Sequence, residues 1–193
     1  MQDADLKNKD LSLGENCREK LGKDIHAMIR VNHAGESGAV QIYRGQIAVL
    51  KRSSLQKTLQ HMLEQEEQHL KLFNDLMIEH RVRPTLFSPL WHGAAFAMGA
   101  VTALLGKKAA LACTVAVEEV IESHYEEQKQ NLERTSGPYL MRLKKAIETC
   151  QADEAQHRET ALNLGARESL GYPLLHGAIQ IASKAAIWLS KRF

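Results

Sequence analysis

Residues 55–76 read LQKTLQHMLEQEEQHLKLFNDL, and residues 140–164 read LMRLKKAIETCQADEAQHRETALNL. In the first run Leu55, Leu59, Met62, Glu66, His69, Phe73 and Leu76 recur at alternating spacings of four and three, the stripe of a helix with one buried face. Leu140, Leu143, Ile147, Cys150, Glu154, His157, Ala161 and Leu164 repeat the rhythm. Both stripes carry a Glu and a His where the pattern asks for an apolar side chain. Residues three apart share a helix face, so Glu66 with His69, and Glu154 with His157, can each reach one point.

Two further helices fit the same scheme. One runs from about Ile25 to Leu50 with Ile29, Glu36, Val40, Tyr43, Ile47 and Leu50 on one face; the other runs from about Lys108 to Leu132 with Leu111, Val115, Glu118, Glu122 and Tyr125 aligned. The chain therefore repeats: a helix with an inward Glu, then a helix with Glu-x-x-His. Links near Lys51–Ser54 and Thr135–Pro138 close each hairpin, Gly137 and Pro138 marking the start of the last bundle helix and Gly165 its end. A long connection from Arg81 to Lys107 joins the halves, as in bundles with one crossover. Gly35 and Gly38 are small enough to let a neighbouring helix or a ligand come close.

Composition agrees with an all-α chain of one domain. Its 193 residues hold only 12 glycines and 4 prolines, without the turn signals of a β-sandwich. With 25 basic and 23 acidic residues the net charge is +2, which gives no support to nucleic-acid binding. Cys17, Cys113 and Cys150 form no zinc pattern and no disulfide framework, so a reducing compartment is expected. Residues 1–23 hold Asp3, Asp5, Asp10, Glu15 and Glu19 and lack an apolar core, so they are expected as a mobile polar tail, not a secretory or import signal, ahead of one domain over 24–193. No P-loop or Gly-x-Gly-x-x-Gly occurs, so reducing equivalents would come from outside the chain.

Four unpartnered carboxylates in a core would each cost several kcal/mol, roughly, or be forced neutral. Two divalent cations remove the conflict, four negative charges meeting four positive. Carboxylate and imidazole donors suit ferrous iron or manganese. A Glu from each of two helices plus Glu-x-x-His from two others is the donor set of di-iron and di-manganese carboxylate bundles, with the ferritin-like fold. The metal ligands expected are Glu36, Glu66, His69, Glu118, Glu154 and His157, with Glu122 as an alternate to Glu118 or a supporting acid. Asp153 is placed to accept a hydrogen bond from an imidazole N–H. His33 resembles a reversed ligand pair with Glu36 but suits a cap or a supporting role. Glu64, Glu67, Glu119, Glu126, Glu127 and Glu159 lie off the stripes and are expected in solvent. Cys150 reads as a small core residue, and His26, His61, His80, His92 and His176 as surface or packing residues.

Leu86–Gly106 has His92 as its only ionisable residue and is long enough to span a bilayer. A single span would separate the two halves of the site, and Pro89, Gly93 and Gly99 interrupt the run. The alternatives are an interfacial or re-entrant helix with Trp91 at the headgroups, or a crossover packed on the bundle or at a dimer surface. Leu175, Ile179, Ala182, Ala186 and Leu189 form one face of a C-terminal helix flanked by Trp188, Lys184, Lys191 and Arg192, either lying on a membrane surface or capping the bundle.

Longer strings carry a resemblance. Arg30-Val31-Asn32-His33-Ala34-Gly35-Glu36, Ile42-Tyr43-Arg44-Gly45-Gln46, Arg81-Val82-Arg83-Pro84-Thr85, Pro89-Leu90-Trp91, Thr102–Lys107 and Ala112–Glu119 together resemble the demethoxyubiquinone hydroxylases of ubiquinone biosynthesis, over nearly all of 24–193. The resemblance implies a ferritin-like four-helix bundle with one long crossover plus amphipathic helices. It implies an O₂-dependent monooxygenase acting on the ring of a demethoxylated prenyl quinol, with an external reductant. Two irons would be held by the six ligands above, Glu66 and Glu154 bridging, and His124 with Tyr125 would serve reduction and substrate contact. It also implies peripheral attachment to a lipid surface, here the cytoplasmic side of a bacterial inner membrane, and leaves open partner proteins of quinone biosynthesis or a homo-oligomer. The competing readings are a ferritin- or rubrerythrin-like handler of iron or peroxide, and a metal-free helical adaptor.

Overall fold

The computed structural model describes residues 2–133 and 140–192, with side chains from Gly22 onward. The chain folds into helices α1 (Gln2–Leu50), α2 (Gln56–Glu79), α3 (Ser88–Leu104), α4 (Lys107–Glu133), α5 (Leu140–Asn163) and α6 (Tyr172–Arg192), with no strand among the described residues. α1–α2 and α4–α5 are the two hairpins of a ferritin-like bundle, and α1 with α4 and α2 with α5 pack across the halves. The helix expected from Ile25 begins much earlier, at Gln2, so the backbone of the polar stretch is helical as well. The absence of Pro over these residues lets α-geometry propagate. The link at Thr135–Pro138, with Gly137 and Pro138, lies outside the described residues. Gly165 ends α5 as expected, with φ +93°, a left-handed value that favours glycine.

Helical periodicity builds two apolar layers. Ile29, Phe73, Tyr125, Leu143 and Ile147 fill one. Val40, Tyr43, Leu59, Leu111 and Ala161 fill the other. Each bundle helix passes through both layers, and between them it presents its Glu or Glu-x-x-His. Fully burying one such Leu or Ile contributes roughly 1.5–3 kcal/mol, so the layers fix the helices around a polar middle.

The crossover is a regular helix. Pro89 sits in the first turn of α3, where its missing N–H costs nothing, and Gly93 and Gly99 do not break it. A Cβ at Gly99 would overlap the backbone of Ile42, and one at Gly45 would overlap the Phe96 carbonyl, so α1 and α3 touch backbone to backbone. On the crossover, Leu86, Leu90, Val101, Leu104 and Leu105 remain exposed. No described helix is long and apolar enough to cross a membrane. Trp91 is half-buried and its indole N–H donates to Ser190 Oγ at 3.1 Å, tying α3 to α6.

α6 docks through part of the face read from its sequence, with Ala182 of that face left exposed. Ile179 is buried in the first apolar layer and Leu175 packs against it. Leu174, Ile181 and Trp188 point outward. Glu119, expected in solvent, is half-buried, because α6 folds back over that side of α4. It accepts hydrogen bonds from His176 and Gln180, both at 2.9 Å.

Candidate metal centre

The six side chains singled out from the stripes meet in the middle of the bundle. Glu36, Glu66, His69 and Glu154 place ligand atoms within 4.8 Å of one another, and so do Glu66, Glu118, Glu154 and His157. All are buried, and Glu66 and Glu154 are common to both groups. His69 Nδ1 faces Glu36 Oε2 at 3.5 Å, Glu66 Oε2 at 3.7 Å and Glu154 Oε1 at 3.4 Å. His157 Nδ1 faces Glu66 Oε1 at 3.0 Å and Glu154 Oε2 at 3.3 Å.

The donor atoms fit a pair of cations. Glu36 Oε2, both oxygens of Glu66 and of Glu154, Glu118 Oε2, and the Nδ1 atoms of His69 and His157 are all buried without a hydrogen-bond partner. Buried polar atoms are rarely left so, and here the orphans converge on one place. Without a cation the cluster meets its charge with protons. Burial alone would lower His157, but the Glu154 and Glu66 carboxylates outweigh it and push the imidazole up to about 9. His69 is lowered by burial and raised, more strongly, by Glu154, Glu36 and Glu66. Glu118 is held well above the ordinary carboxylate range by burial and by Glu154 and Glu66. A divalent cation would displace these protons and leave neutral imidazoles and ionised carboxylates, the forms that ligate.

The surrounding residues repeat as the ligands do. Tyr43 donates to Glu118 Oε1 at 2.7 Å, and Tyr125 donates to Glu36 Oε1. Each tyrosine lies two turns after the Glu of its own helix and serves the Glu of the other half. Both hydroxyls are pushed up, by burial and by those same carboxylates, so they remain donors. Farther out, Gln128 pairs with Asn32 in two 2.8 Å bonds, while Gln46 donates to the Ala110 carbonyl at 3.0 Å and to Thr114 Oγ1 at 3.5 Å.

Asp153 behaves as its position suggested: its Oδ2 accepts from His69 Nε2 at 2.9 Å. Its counterpart Gln65 accepts from His157 Nε2 at 3.1 Å. Carboxylate and amide oxygens only accept, so each imidazole carries its proton on Nε2 and turns Nδ1 to the cluster. Glu122 is outside both groups and accepts from Arg158 Nε at 2.9 Å, leaving the inward position to Glu118. His33 pairs with Asn74 Oδ1 at 3.1 Å, away from the cluster. Cys150, read as a core residue, is buried but also lies with Glu36 and His69, its thiol pushed up by burial and Glu36.

His124 and Tyr125 part company. Tyr125 reaches the cluster and stacks on Phe73 at 6.3 Å between ring centroids. His124 turns the other way, bonded to Gln128 Nε2 at 2.7 Å and lining a cavity of about 480 Å³ with Glu127, Lys184 and Lys191. Burial, then Lys191, lowers it to about 4. Tyr43, Gln65 and the Asn32–Gln128 pair were not singled out from the sequence. Aligning the halves on Glu36 and Glu118 would have shown Tyr43 with Tyr125, and Gln46 with Gln128, in register.

Gly35 and Gly38 do not admit a helix: a Cβ at either would meet nothing within 4 Å. They line an apolar cavity of about 160 Å³ between α1, α3, α4 and α6, with Ala39, Met98, Ile121 and Ala186 among its walls.

Comparison with known proteins places this arrangement. The family model described as "Ubiquinone biosynthesis protein COQ7" matches residues 23–190. A 3-demethoxyubiquinol 3-hydroxylase from Rhodospirillum rubrum is 50% identical over 169 residues, covering 87% of this chain and 78% of the relative. The mitochondrial NADPH-dependent 3-demethoxyubiquinone 3-hydroxylase of Mus musculus is 48% identical, covering 88% and 78%. The mitochondrial 5-demethoxyubiquinone hydroxylase of Saccharomyces cerevisiae is 38% identical, covering 92% and 82%.

Proposed function

The chain belongs to the COQ7 family of ubiquinone biosynthesis proteins, and we propose that it hydroxylates the ring of a demethoxylated prenyl quinol at a centre of two iron ions. The observation that carries the reading is the pair of buried donor groups sharing Glu66 and Glu154, whose unpartnered atoms face one another. The catalytic unit is residues 24–193, in keeping with the extent of the family match.

Glu36 with His69, and Glu118 with His157, would each hold one ion, and Glu66 and Glu154 would serve both. Bound ferrous ions would supply the electrons that activate O₂ for insertion of one oxygen atom into the ring, the other leaving as water. The chain's own work is geometric. Asp153 and Gln65 fix the imidazoles with Nδ1 inward. Tyr43 and Tyr125 hold Glu118 and Glu36 by one oxygen and leave the other free. The two apolar layers keep water from the centre. The cavity lined by Gly35 and Gly38 offers carbon walls to a quinol ring.

Reducing equivalents come from outside the chain. The mammalian relatives' dependence on NADPH makes a reduced nicotinamide the first donor class to test. The outer residues of α3, with Leu174, Ile181 and Trp188 of α6, form the apolar side that would lie on lipid while the prenyl tail stays in the membrane. With a bacterial relative at 50% identity, we place that surface on the cytoplasmic side of an inner membrane. An iron-storage or peroxide-handling role shares the donor set but gives no use to this apolar side.

The test is complementation with chemistry and metal read together. Expressed in a strain lacking demethoxyubiquinone hydroxylase, the chain restores mature quinone, and the anaerobically purified protein carries two irons. Persistence of the demethoxy quinone despite a loaded centre would favour iron handling.

A further inference from the structure

The two halves of the cluster match at nearly every position. Glu36 corresponds to Glu118, Tyr43 to Tyr125, Glu66 to Glu154 and His69 to His157, and the tyrosines reach across in the same way. They differ behind the histidines. The residue preceding each Glu of Glu-x-x-His accepts from the histidine of the opposite motif, and that residue is Asp153 in one half and Gln65 in the other. The imidazole beside Glu36 is backed by an anion at 2.9 Å; the imidazole beside Glu118 is backed by a neutral amide at 3.1 Å.

Backing a ligating imidazole with a carboxylate raises the basicity of its other nitrogen and locks the ring, and loss of such a partner costs about 10- to 100-fold in metal affinity. An amide locks the ring but adds no charge. Asp153 also brings negative charge near one cation position that nothing at Gln65 matches. It is partly open to solvent, its side chain 31% exposed, so the field of that charge is partly screened. The hydrogen bond itself ends on a histidine that is only 5% exposed and is not screened in the same way.

From this we infer that the two cation positions are unequal: the one formed by Glu36 and His69 fills first and more tightly, and Asp153 is the positioning residue that makes it so. The inference rests on the metal-centre reading above and deepens it. A chain short of metal holds one ion on the Glu36 side, and the Glu118 position fills last and empties first.

The experiment is an anaerobic titration of the full chain, stripped with a chelator, with Co²⁺, followed by calorimetry and by the visible absorbance of bound cobalt. The parent shows two resolved steps whose Kd values differ by about 10- to 100-fold. Asp153→Asn weakens the first step alone and brings the two together. Gln65→Glu tightens the second step alone. Glu118→Ala keeps the tight step and Glu36→Ala keeps the weak one, which assigns the steps to places. Circular dichroism of each variant confirms the parental helix content. Two ions bound in equal steps by the parent would overturn the inference and leave the centre standing. No cobalt bound would overturn both. Equal weakening of both steps by Asp153→Asn would reduce Asp153 to a structural role and also overturn it.

Discussion

The Tyr43 hydroxyl donates to Glu118 Oε1 at 2.7 Å, from the first helix of one hairpin to the first helix of the other. Tyr125 returns the contact to Glu36. Each half thus holds the other's carboxylate in place. Tyr43→Phe and Tyr125→Phe keep the ring and its packing and remove only the donor. Each is expected to lower stability of the metal-loaded protein by about 1 kcal/mol, the net worth of such a bond. Urea denaturation of the loaded chain measures it, and unchanged midpoints in both variants would show that the carboxylates are held by other means.

Glu66 belongs to both donor groups, whereas Glu118 belongs to one. Glu66→Ala is therefore expected to lose both ions and all hydroxylation together, and Glu118→Ala to retain one ion per chain without turnover. Elemental analysis after anaerobic loading distinguishes them. Two irons on Glu66→Ala would remove Glu66 from the centre.

The metal-free chain should lose stability as pH rises from about 6.5 to 9. His157 is raised to about 9 in the fold, so its contribution is fully present below its unfolded value of about 6.5 and is lost as pH rises through 9. Glu118, also raised, acts in the same direction. His124 is lowered to about 4, so its contribution is present above 6.5 and is lost as pH falls toward 4. Thermal melts of the stripped chain across pH 4–9 check both limbs. A stability that rises steadily from 6.5 to 9 contradicts the assignment.

Two glycines in neighbouring helices should answer oppositely. Gly99→Ala forces a Cβ into the Ile42 backbone, and α1 and α3 must separate, at a cost of about 1–3 kcal/mol. Gly38→Ala meets no atom and gains about 0.5–1 kcal/mol from helix propensity. It also narrows the apolar cavity that Gly38 lines, so KM for the quinol should rise while the melting temperature does not fall. Equal melting temperatures for the two variants would mean the helices are less closely packed than they stand.

Leu104 and Leu105 are 73% and 69% exposed at the end of the crossover helix. Changing both to Glu should leave the melt unchanged and weaken sedimentation with phospholipid vesicles several-fold. Undiminished partitioning would take the lipid-facing role away from α3.

Much of this was legible in the chain because helical periodicity is local. The four bundle helices, their stripes, and the inward Glu and Glu-x-x-His pairs all follow from residues within a few turns of one another, whereas Glu122 is separated from Glu118 only by its contact with Arg158 of α5. Even Asp153 could be placed behind a histidine from its position next to Glu154. Other features could not be read this way. Glu119 looks solvated along α4 and is covered because α6 returns over it. Trp91 meets Ser190, far along the chain, a contact with no local signal.

The sequence by itself determined that six acidic and imidazole side chains point into an apolar core, since a 3.6-residue turn leaves a stripe residue no other direction. Only the tertiary structure decided who partners whom: Tyr43 with Glu118, Tyr125 with Glu36, Asp153 with His69, Gln65 with His157. Those pairings depend on how one hairpin docks against the other, and that is set by the packing of whole apolar layers, which no local spacing encodes.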